Sequence, residues 1–285
     1  SRDGDLQKIS DNIVMGLIDG TLAPFQGSDI NDAETIISLI EYDSDGNCRF
    51  SDVDYENTSR SDWVTKRHLN RTGRLAVLYR RETDEALKDE YRNYVLKLID
   101  HWVKNDYQNS NWWFNKLATP NTLGEIALLM KDDLSLRQFT AVSEIVGRGS
   151  FSVNYQVRDY TGANTTDIAM STIKFAALTD SRTSVRTAVR LVEKQLEYSD
   201  GEGLKTDGTF FQHGNRLYMG GYGIEFISGM THIIEMLSEN TLFSIMTGHL
   251  MNGEPAMMAS YEAFFNIITS QILQQIKFIK QCDET

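Results

Sequence analysis

Proline is scarce in this chain, at 3 among 285 residues, which favours long uninterrupted helices over a turn-rich sandwich of strands. Cysteine is limited to Cys48 and Cys282, so no disulfide framework can be read, and one bridge between the two stays open. No run of about 18 apolar residues occurs, so no membrane-spanning helix is expected. Basic residues are outnumbered 28 to 40, leaving a formal charge of −12. That balance argues against a nucleic-acid partner, because neutralising phosphates demands a basic surface. An anionic substrate is still allowed, since a locally basic cleft can sit on an acidic body. Metal-ligand spacings of the HExxH or CxxC kind are missing, as are a Walker loop and a GxSxG elbow. Neither a metal ion nor a cofactor is called for. No carboxylate pair stands out, which weakens glycoside hydrolysis by two acids.

What the chain does contain is helix-forming pattern. Hydrophobic residues make up 41% of it, enough for a sizeable core. Apolar stripes at helical spacing are read at Asp5–Leu22, Asp32–Leu39, Val64–Arg81, Glu82–Lys104, Leu134–Val146, Asp167–Leu178 and Thr183–Tyr198. Further stripes follow at Ile224–Leu237, Leu242–Leu250 and Tyr261–Lys280, and another helix opens near Pro120. The expectation is an all-α array forming a single domain over residues 1–285. Between the second and third stripes lies an acidic loop whose count from Glu41 resembles a calcium-binding loop. A turn at Asp45-Gly46 is the favoured reading there. Arg186, Arg190 and Lys194 line the polar side of one later helix, which reads as a solvated face. The chain opens SRDGDLQ, with neither Met nor a signal peptide, as a processed secreted chain or a fragment would.

Three segments between helices carry chemistry: Asn111–Asn115, Tyr160–Asn164 and Gln212–Tyr222. The last lies within TDGTFFQHGNRLYMGGYG, Thr206–Gly223, whose glycines let the backbone turn side chains into one cleft. His213 and Tyr222 place an imidazole and a phenol there, both able to give or take a proton; a structural histidine on a helix connection is the alternative. Trp112, Trp113 and Phe114 stand in a row on a polar loop, where stacking on a sugar ring and simple packing both remain open. Asn164 supplies a neutral amide, able to stabilise the charge that develops when a proton leaves carbon beside a carboxylate.

NWWFNKLATPNTLGEIALLM, TGANTTDIA and EGLKTDGTFFQHGNRLYMGGYG resemble signature segments of polysaccharide lyase family 8. DGNCRFSDVDYENTSRSDWVTKRHLNR is similar to the loop before that family's first helices, so the resemblance runs in order across nearly the whole chain. The resemblance implies an incomplete (α/α) toroid of paired antiparallel helices, normally continued by C-terminal β-sandwich domains in a full-length protein. It implies β-elimination on an acidic polysaccharide such as chondroitin, hyaluronan or xanthan, by a secreted or cell-surface bacterial monomer without a cofactor. By motif position Asn164 matches the residue that neutralises the substrate carboxylate, His213 the catalytic histidine and Tyr222, rather than Tyr218, the catalytic tyrosine. Trp112 and Trp113 match the aromatic patch that holds the sugar chain; Asn111, Asn115 and Gln212 are expected to bind substrate beside them. Two departures stand out. MNGEPAMMASYEAFF, with Glu254 and Met258, lies where the family usually has a GRxxSR segment, and Lys116 replaces the Glu of WWxxE. An inactive, carbohydrate-binding relative is the alternative those departures raise.

Overall fold

A computed structural model describes residues 4–20, 22, 29–151, 162–195, 197–207, 209–214, 216–217 and 219–237. The first apolar stripe forms helix α1 (Gly4–Asp19), which fully buries Ile13 and Leu17. Helix α2 (Ala33–Ser38) starts on Asp32, whose carboxylate accepts the Thr35 N–H. The acidic stretch beyond it closes as a hairpin, with β1 (Ile40–Tyr42) antiparallel to β2 (Cys48–Phe50). Gly46, at φ 79°, makes the expected turn, and Asp43 Oδ1 accepts the N–H groups of Asp45 and Asn47 inside it. Asp43 Oδ2 lies 2.7 Å from His101 Nδ1, and the other acids face cations, Asp45 pairing with Lys104 and Asp52 with Arg71.

A 3₁₀ turn at Val64–Lys66 leads into α3 (Arg67–Arg81), and α4 (Glu85–Asn105) begins where Asp84 caps the Ala86 and Leu87 N–H groups. Glu82, Thr83 and Asp84 are too few to do more than reverse the chain, so α3 and α4 form a hairpin. Next come α5 (Thr119–Leu129) and α6 (Leu136–Gly147), the latter opened by a capping box between Ser135 and Gln138. Helix α7 (Ala163–Thr179) starts four residues earlier than its apolar stripe suggests. The Gly162 carbonyl accepts the N–H groups of Thr165 and Thr166, which winds Asn164 into the first turn. Helix α8 (Arg182–Gln195) buries Val185, Ala188 and Val192 and leaves Arg186, Arg190 and Lys194 in solvent. Helix α9 (Ile224–Leu237) keeps the bounds its pattern predicts.

The packing follows the pattern of burial. Helices α3, α5, α7 and α9 lie side by side in that order, with α4, α6 and α8 as hairpin partners and α1 set against the row. The protein is thus mostly helical, in two layers. The helices read at Leu242–Leu250 and Tyr261–Lys280, and Cys282, lie outside the described residues. Cys48 is buried, and burial pushes its thiol up to about 11, which makes it an inert core residue.

Arg71 on α3 ties two upstream loops together. Its guanidinium donates to both oxygens of Asp29 and of Asp52, at 2.7–2.9 Å, with its own side chain only 1% exposed. Both acids are held below the ordinary carboxylate range, first by their hydrogen bonds to Arg71. Since both carboxylates are over a third exposed, solvent screening leaves the bridge worth about 1–2 kcal/mol. A lowered folded pKa stabilises above the unfolded value of about 3.9, and that stabilisation is lost as pH falls through the folded value. Arg71→Met should therefore lower the urea midpoint at pH 7, and its deficit against wild type should shrink below about pH 3.

Candidate active site

The segment Thr206–Gly223, read as a loop, holds strands β4 (Phe210–Gln212) and β5 (Arg216–Leu217), which form a small antiparallel sheet with β3 (Gly203–Leu204) just before the segment. Strands this short leave no periodic signal in the sequence. His213 follows β4 directly and adopts φ 55°, the left-handed region that few side chains enter, with Gly214 at φ 76° completing the turn. Tyr222 sits in a π-helical turn, Met219–Gly223, that runs into α9. The two meet: His213 Nε2 and the Tyr222 hydroxyl share a 2.9 Å hydrogen bond, with their rings edge-on and centroids 4.8 Å apart. Phe210 fixes the strand to the helix by stacking on Phe226 at 5.0 Å, while its N–H donates to Met219 Sδ. His213 is exposed and Tyr222 half-buried. Tyr218 lies outside the described residues, as do Tyr160 and Thr161.

Asn164 reaches the same junction from α7. Gly162, at φ 54°, donates its N–H to Gln195 Oε1 at the end of α8. A Cβ there would lie 2.6 Å from Phe210 Cζ and 2.8 Å from Gln212 Oε1, so the start of α7 rests directly on β4. Gln212 is buried beneath it, 2% exposed, with its amide oxygen lacking a hydrogen-bond partner among the described residues. Asn164, half-buried, lies two residues past Gly162 in the first turn of α7, the turn that rests on the strand preceding His213. One turn further along α7, Asp167 was not singled out from sequence. Burial, and then the nearby Glu225 carboxylate, push it up to about 7 against the pull of Lys174. Only its three-residue offset from Asn164 could have drawn attention to it.

The aromatic loop opens from the same end of the helical layers. Trp112 and Trp113 are 47% and 39% exposed, whereas Phe114 is buried with its ring 5.3 Å from Trp63. Asn111 Nδ2 donates to the Arg60 carbonyl and its Oδ1 accepts the Trp113 N–H. Asn115 exchanges two hydrogen bonds with the Asn109 backbone. Both amides are engaged in shaping the loop, together with buried Asn109, a residue the sequence reading passed over. A second π-helical turn, Phe114–Ala118, carries the loop into α5. Asn121, in the first turn of α5, donates to the Asp167 carbonyl at 3.1 Å, so the two helices start side by side.

The description of polysaccharide lyase family 8, N-terminal α-helical domain, matches residues 19–274. Chondroitinase-AC of Pedobacter heparinus is 28% identical over 206 residues, which is 70% of this chain and 28% of that protein. Xanthan lyase of a Bacillus species is 24% identical over 223 residues, 69% of this chain and 23% of that protein. The chain thus spans about a quarter of the length of these curated relatives. Among solved structures, a chondroitinase AC lyase shares the fold with a TM-score of 0.69 at 23% identity, over 86% of this chain and 36% of that one. A Paenibacillus xanthan lyase gives 0.60 at 19% identity, over 85% of this chain and 23% of that one.

Proposed function

The chain belongs to polysaccharide lyase family 8, and from that membership we propose that it cleaves an acidic, uronate-containing polysaccharide by β-elimination. Chondroitin, hyaluronan and xanthan, the polymers in the names of its relatives, are the substrates to try first. The observation that carries this reading is the 2.9 Å hydrogen bond between His213 and Tyr222 beside the first turn of α7. The Asn164 amide donates to the uronate carboxylate and steadies the enolate-like charge as the C5 proton leaves. His213 or ionised Tyr222 accepts that proton. The C5–H electron pair becomes the C4–C5 double bond, the C4–O bond breaks, and the leaving oxygen takes a proton from Tyr222. Trp112 and Trp113 hold the sugar rings by stacking, on a loop that Asn111 and Asn115 keep in shape. Polymers of this size are met outside the cell, so the protein acts secreted or at the cell surface.

Incubation with the three polymers tests the reading by the ultraviolet absorbance of the unsaturated uronate. New reducing ends without that absorbance would mean hydrolysis. A second reading, a binding relative without turnover, is favoured by one sequence fact: Glu254 and Met258 stand in the segment where arginines are expected. It predicts retention of polymer with no product of either kind. Trp113→Ala should raise KM by about five- to tenfold, since stacking is worth about 1 kcal/mol, and leave kcat within about twofold. Initial rates across a range of polymer concentrations would show that split.

A further inference from the structure

The Lys66 side chain lies at the mouth of the helical layers and is not explained by the elimination chemistry. Its ammonium donates to Asn70 Oδ1 and Thr122 Oγ1, each at 3.0 Å, and among the described residues no carboxylate pairs with it. Other cations of the interior have acids in contact: Arg71 with two aspartates, and Lys174 with Glu125 at 2.7 Å. A cation given only neutral partners in a half-buried position is costly, and such groups concentrate where a ligand supplies the missing charge.

Its position ties it to both arms of the candidate site. Trp63, three residues before it, packs on Phe114, whose ring lies 5.2 Å from that of Trp113. On its other side Thr122 belongs to the opening of α5, where Asn121 reaches the Asp167 carbonyl one turn past Asn164. Lys66 therefore stands at the start of α3, next to the start of α5, which adjoins the start of α7. Inner helices pack about 8–10 Å apart, so the axes of α3 and α7 lie roughly 16–20 Å apart, with Lys66 reaching toward α5 between them.

We propose that Lys66 is a specificity-determining residue of the cleft, whose ammonium binds an anionic substituent of the polymer remote from the bond that breaks. The group is a carboxylate or a sulfate ester, recognised by a charge-assisted hydrogen bond. The inference rests on the polysaccharide reading of the site but not on turnover. Burial holds the Lys66 ammonium down to about 8, opposed by the nearby Glu125 carboxylate, whose own contact is Lys174 on α7. It is thus charged at neutral pH and loses the charge just above it, which gives the subsite a pH signature.

The test measures binding in the full-length protein carrying Tyr222→Phe, so that chondroitin sulfate, desulfated chondroitin and carboxyl-reduced polymer stay intact. Lys66→Met should weaken binding of the polymer whose anion it receives by about tenfold at pH 7. It should leave the polymer lacking that anion unaffected, which tells carboxylate from sulfate; Lys66→Arg should restore most of the affinity. Affinity of the Lys66 form should also fall between pH 7 and 9, and that fall should be missing from Lys66→Met. Binding of every polymer by Lys66→Met as tightly as by the Lys66 form, or a flat affinity of the Lys66 form through pH 9, would overturn the proposal. If Lys66→Met does not fold, the pH series alone decides. Failure of the lyase reading shows separately, as no unsaturated product from the protein with Tyr222 intact.

Discussion

Tyr222→Phe is expected to reduce turnover by about 10²–10⁴-fold, the range of general acid–base catalysis, while polymer binding stays within about twofold. The substitution removes one oxygen atom. The ring keeps its half-buried place in the π-helical turn, and Phe210 still stacks on Phe226 to hold strand and helix together. What disappears is the hydroxyl that shares a hydrogen bond with His213 Nε2, and with it the proton for the leaving oxygen. A loss confined to kcat marks a group used only in the transition state. Measuring kcat and KM by the absorbance of the unsaturated product, with polymer binding measured separately, gives both halves of the prediction. Normal turnover in the phenylalanine variant would remove Tyr222 from the mechanism.

Gly162→Ala should have the second largest effect, and it works through position rather than chemistry. The added methyl would meet Phe210 Cζ at 2.6 Å and Gln212 Oε1 at 2.8 Å, inside the distance at which atoms touch. The backbone there, at φ 54° and ψ −123°, is one that a side chain resists. Neither neighbour yields easily: Phe210 is locked against Phe226, and Gln212 is sealed beneath the start of α7. The strain and overlap together are expected to cost about 2–4 kcal/mol of stability. Because the same contact seats the first turn of α7, which carries Asn164, on the strand that precedes His213, kcat at a temperature where the variant is folded should also fall, by at least about tenfold. Thermal unfolding, and kcat taken below the transition, separate the two losses. Full kcat in the folded variant would mean that α7 and β4 are placed independently.

The helical layers were legible because their apolar stripes are long and their starts are chemically marked. Asp84, Ser135 and Pro120 open helices where their residue types say they should. The start of helix α9 was readable at Ile224. Two things were hidden. The three strands around His213 are two or three residues each, so pairing rather than pattern defines them. The first turn of α7 was hidden because TGAN reads as a turn, and only the Gly162 carbonyl, by accepting two N–H groups, makes it helical. At the site, His213 and Tyr222 could be named as residue types nine apart, but their contact depends on a left-handed histidine and a π-helical turn. The asparagines around the tryptophans also hydrogen-bond the backbone of their own loop, a use that their residue types do not reveal.

Each arm of the candidate site joins its inner helix through a π-helical turn, Phe114–Ala118 before α5 and Met219–Gly223 before α9. Such a turn holds one more residue than an α-helical turn of the same span. Each arm is therefore out of phase with its helix by a single residue, or about 100° of rotation around the axis. Gaining or losing one amino acid at either place would swing the tryptophans or the tyrosine to a new bearing while the buried faces of α5 and α9 kept their neighbours. Single-codon insertions and deletions are thus a route by which descendants of this scaffold could re-aim either arm without rebuilding the core.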